Sequence, residues 1–244
     1  MTTGLLEWQR SNDVKIDHFQ VFGERRCGTN FVDALISDNL TAQSTTKYGW
    51  KHGTPTMPCI AKNGLLVVVV REPFAWLSSL HNRPFAMSHK NLDMSAFLRT
   101  EWYDQFIPKE FGHARWGYSG MVRDSHVANQ VDRHPITGKR FQNPLEMRTI
   151  KNAAFLGFLN RECNCAVVNY ETANDRPDDF LAALCAEFGL EPRHAFEKPD
   201  HVGAKGTTKK RLYRDDLSAE DIAFVQANLD PDQETRLGYA SSLE

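Results

Sequence analysis

The sequence predicts an α/β fold, a three-layer α/β/α arrangement around a central parallel sheet. Three observations carry that expectation. The run "LLVVVV" at 65–70 is apolar without alternation, as in a strand buried on both faces. A second apolar segment, 18–22, runs into a glycine-bounded turn and then into helix-compatible sequence. Helical patterns with recognisable ends separate these strands, and alternation of strands and helices favours a parallel sheet with ligands at the C-terminal strand ends.

Taken in order, the first strand is expected at 18–22 and a helix near 30–38. The strand at 65–70 precedes a helix at 73–82 that opens on Pro73. A helix at 144–160 begins "NPLE", with Asn143 as N-cap, Pro144 in the first helical position and Glu146 in the third. The strand "CAVVNY" at 165–170 follows, then a helix at 177–188 closed by Gly189. A last helix starts at "SAED", capped by Ser218, and carries Ile222, Val225 and Leu229 on one side. Residues 83–142 break the rhythm, with six aromatics (Trp102, Tyr103, Phe106, Phe111, Trp116, Tyr118) within 17 positions. They read either as an insertion forming a lid or acceptor pocket, or as extra helices covering a sheet edge with their own small core.

At 244 residues the chain is expected to form one domain. Its 29 basic and 31 acidic side chains nearly cancel, which argues against a surface built for nucleic acid or an anionic membrane. There is no basic-then-apolar leader, and the longest apolar run is far too short to span a bilayer. Five cysteines without framework spacing suggest reduced thiols and a cytoplasmic setting. Cys163 and Cys165 have no Cys/His partner pair at zinc spacing, so no metal is expected there.

The candidate site starts at "VFGERRCGTNF", 21–31. Gly23 and Gly28 stand at the spacing of a triphosphate-binding loop, G-x-x-x-x-G-K-[ST], but Thr29 and Asn30 replace the lysine and the magnesium-binding hydroxyl. Loop amides and the helix start at Asn30 and Phe31 would still attract an anion, and Arg25 and Arg26 add two positive charges. In "VVVVREPFAWLSSL", Arg71 lies at the C-terminal edge of the buried strand, with Ser79 almost two helical turns into the next helix. Such an arginine reads as a ligand group, or as the partner of Glu72 or a neighbouring acid.

The "R-x-P" ending a hydrophobic strand, with serine eight positions after the arginine, resembles the 3′-phosphate motif of the sulfotransferases that use 3′-phosphoadenosine 5′-phosphosulfate. "RCGTN" is similar in register to that family's Lys-Ser-Gly-Thr loop: Arg26 falls at the catalytic lysine, Cys27 at the serine, and Gly28 and Thr29 are identical. "YGWKHGTP", 48–55, partly resembles the family's K-x-H-x-P, with Lys51 and His52 adjacent, and "VVNYET" resembles the strand whose tyrosine lies near the adenine, here Tyr170. "AKGTTKKRLYR", 204–214, offers Lys205 and Gly206 as the nearest fit to the late basic-Gly segment.

The resemblance covers roughly 18–82 and 165–237 and implies a P-loop-type fold. It implies transfer of a sulfuryl group without metal to a hydroxyl or amine of a small-molecule or glycan acceptor. Gly28, Thr29 and Asn30 would cradle the 5′-phosphate, and Arg26 and Lys51 would balance charge on the transferring group. His52 would be the base, with His81 in reserve, and Arg71, Ser79 and Lys205 would grip the 3′-phosphate. The departures at Arg26 and Cys27 substitute a planar guanidinium for an ammonium and a weak S–H donor for a hydroxyl. Two alternatives remain: a P-loop kinase using ATP and magnesium, and a nucleotide-binding module without catalysis.

Overall fold

The computed structural model describes residues 4–84, 89, 91–106, 129–199 and 212–244. Its main sheet combines β1 (Glu7–Gln9), β2 (His18–Phe22), β3 (Gln43–Ser44), β4 (Gly64–Val70) and β7 (Asn164–Asn169). Their order is β1-β7-β4-β2-β3, parallel except for β1, which runs antiparallel to β7 on the edge. The helices are α1 (Thr29–Asn39), α2 (Pro73–Asn82), α3 (Met94–Arg99), α4 (Pro144–Leu156), α5 (Tyr170–Asp175), α6 (Pro177–Phe188), α7 (Ala219–Asn228) and α8 (Pro231–Arg236). A separate two-stranded ribbon pairs β5 (Asp104–Phe106) with β6 (Asn129–Val131).

All seven residues of β4 are buried, and they divide by the two-residue period of a strand. Leu65, Val67 and Val69 join a core with Phe19 and Val21 of β2 and side chains of α1, α2 and α6. Leu66, Val68 and Val70 join a second core with Phe22, Phe155, Phe158 and Leu237 on the opposite face. The result is an α/β molecule whose mostly parallel sheet is covered on both faces, compatible with the three-layer class. Chain order runs from β2 outward to β3, then back across β2 to β4, so the β2/β4 boundary is the switch point of the sheet.

The local end signals act as the sequence suggests. Asn143 accepts from the amides of Leu145 and Glu146, Ser218 accepts from Asp221, and Gly189 closes α6 at φ 65°. Two expected boundaries shift. The strand expected at 165–170 ends at Asn169, where Tyr170 opens α5, and the helix expected at 144–160 tightens after Leu156 into a 3-10 turn. Cys163 and Cys165 are buried at the start of β7.

The described flanks of 83–142 do not form a separate core: Met94, Phe97, Leu98, Trp102 and Phe141 belong to the main one. Of its aromatic cluster, Phe111, Trp116 and Tyr118 lie outside the described residues, as do Lys205 and Gly206. No helix among the described residues is long and apolar enough to cross a membrane.

Candidate functional site

The turn after β2 forces backbone geometry that glycine relieves. Gly23 has φ 154°, and a Cβ there would lie 2.4 Å from the Val69 carbonyl oxygen, so only a hydrogen fits against β4. Gly28, at φ 93°, is the N-cap of α1 and offers no side chain to the amides of the first turn. Arg26 is also left-handed, at φ 73°. The amides of Thr29, Asn30 and Phe31 therefore start α1 without intrahelical acceptors or a capping side chain, which favours an anion there.

Each side of this turn is pinned. The Gly23 amide donates to the Lys51 carbonyl at 3.0 Å, and the Gly23 carbonyl accepts from His52 Nδ1 at 2.7 Å. The Trp76 indole donates to the Arg25 carbonyl at 2.9 Å, tying the loop to α2. Gln20, projecting from β2, accepts from the Tyr48 amide and donates to the Gly49 carbonyl, which holds 48–52 beside the loop.

In front of α1, three strand ends converge. Arg26 Nε donates to Ser79 Oγ at 3.1 Å, and an Arg71 guanidinium nitrogen donates to the Arg26 carbonyl at 3.1 Å. Arg71 also lies over the Tyr170 ring, 4.7 Å from its centroid, and its Nε is buried with no hydrogen-bond partner among the described residues. No ion pair of Arg71 with Glu72 or another described acid forms; Glu72 instead caps α2 through the Ala75 amide and accepts from Ser242. Tyr170 covers Gly28 so closely that a Cβ on that glycine would meet its ring at 2.1 Å. Phe31 meets the same ring edge-on, 6.0 Å between centroids.

Lys51 and His52 occupy the other side of the loop. Lys51 donates to the Asn30 side chain, and burial pushes its ammonium pKa down, with Asp33 opposing that shift. Because a carbonyl only accepts, the bond to Gly23 requires the proton of neutral His52 on Nδ1, leaving Nε2 as the basic atom. Burial pushes the imidazole down to about 3, against the pull of the Gly23 carbonyl. His81 is engaged elsewhere, bonded to the Leu92 carbonyl at 2.9 Å and packed on Phe97.

The structure thus brings Arg26, Gly28, Thr29, Asn30, Phe31, Lys51, His52, Arg71, Ser79 and Tyr170 around the start of α1. Three residues depart from their expected settings. The Arg25 guanidinium is buried over the Trp50 ring, 5.1 Å from its centroid, and acts on Glu24 and Asp132. The Cys27 thiol is turned into the core, 1% exposed, where burial pushes it up to about 12, and its amide donates to the Glu24 carbonyl. The Arg26 guanidinium points to Ser79 and the Arg26 backbone carbonyl accepts from Arg71, which gathers the two arginines and Ser79 in one cluster apart from Lys51.

The largest features missed from sequence lie behind the loop. Lys151 of α4 sits 2.7 Å from Glu24 Oε1 and also contacts Asp132, all three side chains being at most 1% exposed. One turn earlier, Arg148 makes a two-point pair with Glu234, at 2.6 and 2.8 Å, with both side chains fully buried. A sequence signal existed. Leu145, Arg148, Asn152 and Phe155 share one helical stripe, so a cation and an amide stand between two apolar residues of that face. Among the described residues, no group of three His, Cys, Asp or Glu is placed to hold a metal ion. No family model, curated protein or solved structure matches the chain.

Proposed function

We propose that the chain is a sulfotransferase acting with 3′-phosphoadenosine 5′-phosphosulfate on a hydroxyl or amine of a small-molecule or glycan acceptor, releasing adenosine 3′,5′-bisphosphate. The observation that carries the reading is the meeting of Arg26, Arg71 and Ser79 beside the uncapped start of α1. A second phosphate away from the 5′ position gives that extra cationic cluster a ligand, and the unpartnered Arg71 Nε is a donor for it. The amides after Gly28 hold the 5′-phosphate. Arg71 and Ser79 hold the 3′-phosphate, and the bond from Arg26 to Ser79 supports placing Arg26 with them. Lys51 is then the cation beside His52, whose Nε2 accepts the acceptor's proton. The sulfuryl donor supplies an activated group whose transfer needs positioning and charge stabilisation from these residues.

Calorimetry with adenosine 3′,5′-bisphosphate, AMP and ADP tests the reading. A charge-assisted contact of this kind contributes roughly 1.5–3 kcal/mol, so the bisphosphate should bind about 10- to 100-fold more tightly than AMP. Arg71→Ala should abolish the difference, and a chelator should not change it. Equal affinity for AMP and the bisphosphate refutes the assignment, and magnesium-dependent ATP binding would favour a kinase. The engagement of Arg26 by Ser79 also favours a binding module without catalysis. Sulfuryl transfer to any acceptor excludes that reading.

A further inference from the structure

We propose that Lys151 is a positioning residue of the anion-binding loop. It acts through Glu24 and fixes the loop against the segment that carries Asp132. The proposal rests on reading 23–28 as an anion loop.

The geometry is specific. Lys151 projects from the middle of α4 and reaches Glu24 Oε1 at 2.7 Å and Asp132 Oδ1. Asp132 follows β6, has φ 63°, and accepts from the Trp102 indole at 3.2 Å. One ammonium therefore joins three parts of the chain: the phosphate-type loop, a helix, and the base of the irregular region between α2 and α4. Glu24 directly follows Gly23, whose amide and carbonyl are already held by Lys51 and His52, and directly precedes Arg25, whose carbonyl is held by Trp76. The Glu24 side chain is a further handle on this part of the loop, beside the Arg25 guanidinium over the Trp50 ring, and Lys151 joins it to α4.

Ordinary core packing does not account for the arrangement. Three buried ionic groups carry a desolvation cost that packed apolar side chains would avoid, and such groups best serve to select one conformation over others. Removing the ammonium would leave two carboxylates buried together. Glu24 would then take up a proton or swing out, carrying with it the backbone that leads to Arg26 and Gly28. Arg25 is a second cation that acts on both carboxylates, but it belongs to the same loop and cannot anchor the loop to α4.

The experiment compares wild type, Lys151→Met, Glu24→Ala, and Lys151→Met combined with Glu24→Gln. It uses amide hydrogen exchange without ligand and calorimetry with adenosine 3′,5′-bisphosphate. Lys151→Met and Glu24→Ala should each raise exchange in peptides covering 23–31, while β7 keeps its protection. Both should weaken bisphosphate binding by about tenfold, within the range of couplings between contacting residues. The double variant removes the stranded charge on Glu24 but also the tether, so it should keep raised exchange at 23–31 and weakened binding, which traces the loss to the tether. Unchanged exchange at 23–31, exchange raised equally in β7, or a double variant restored to wild-type exchange and binding overturns the proposal. Should Lys151→Met fail to fold, the Glu24→Ala result decides alone, an unchanged loop being the refutation. Failure of the sulfotransferase reading is seen separately, as a wild type that does not prefer the bisphosphate, while the ligand-free exchange still tests the clamp.

Discussion

Gly28→Ala is the substitution whose consequence the geometry defines most closely. At φ 93° an alanine carries left-handed strain of roughly 1–2 kcal/mol. Its Cβ would also stand 2.1 Å from Tyr170 Cδ2 and 2.5 Å from Cε2, separations no packed methyl tolerates. The ring must therefore move, and its contacts with Phe31 and Arg71 move with it. An aromatic pair and a cation–π contact are each worth about 0.5–1.5 kcal/mol, which brings the total to about 2–5 kcal/mol. Urea unfolding of Gly28→Ala, Tyr170→Ala and the double variant separates the two parts. With the ring already gone, Gly28→Ala should cost only the strain, leaving a coupling of about 1–3 kcal/mol. The same cost in both backgrounds would refute the close packing of Tyr170 on Gly28.

Two further predictions concern titrating groups. With its imidazole pushed down to about 3, His52 stays neutral through the physiological range, so turnover should show no acid limb near pH 6.5 from this residue. His52→Ala should lower turnover by about 10²–10⁴-fold. A wild-type limb near pH 6.5 that vanishes in the variant would overturn the burial argument. Glu24 has its carboxyl raised from 4.5 to about 7, mainly by burial. Its favourable contribution is therefore full below the unfolded value and is lost as pH rises through the folded one. Glu24→Gln should thus gain on wild type in unfolding free energy, read by urea titration, between about pH 4.5 and 7, reaching roughly 1–3 kcal/mol at pH 8. A pH-independent difference would refute it.

The sheet and its helices were legible because their signals are local. The double-sided burial of β4 shows as a run of apolar residues, and Asn143, Ser218 and Gly189 mark helix ends through their own side chains or backbone. The candidate site was legible for the same reason, since Gly28, Arg71 and Tyr170 each stand at the end of a recognisable element. The short edge strands were not: β1 and β3 are three and two residues long, too short for any periodicity. Side-chain direction was not legible either. Arg26 and Cys27 are neighbours in a loop, yet the guanidinium faces Ser79 and the thiol faces the core, because the left-handed turn at Arg26 redirects the chain leading into Cys27. The contacts of Lys151 with Glu24 and of Arg148 with Glu234 span 127 and 86 positions, beyond any local pattern.

Those long-range contacts bear on a difficulty within the loop itself. A loop meant to attract an anion here begins with a glutamate, whose charge would oppose the ligand if it faced forward. Glu24 is fully buried and directed backward to Lys151, so its carboxylate is balanced where it stands. The pair of Arg148 and Glu234 is likewise closed on itself, with both guanidinium contacts made to one carboxylate. The field at the open side is then set by Arg26, Arg71, Lys51 and the first turn of α1, all of which favour negative charge. Buried ion pairs usually add little to stability, and here the raised Glu24 carboxyl shows that the pairing does not fully offset burial. What the pairs supply is direction. They keep the acid of the loop behind it and leave Arg26, Arg71 and Lys51 in front.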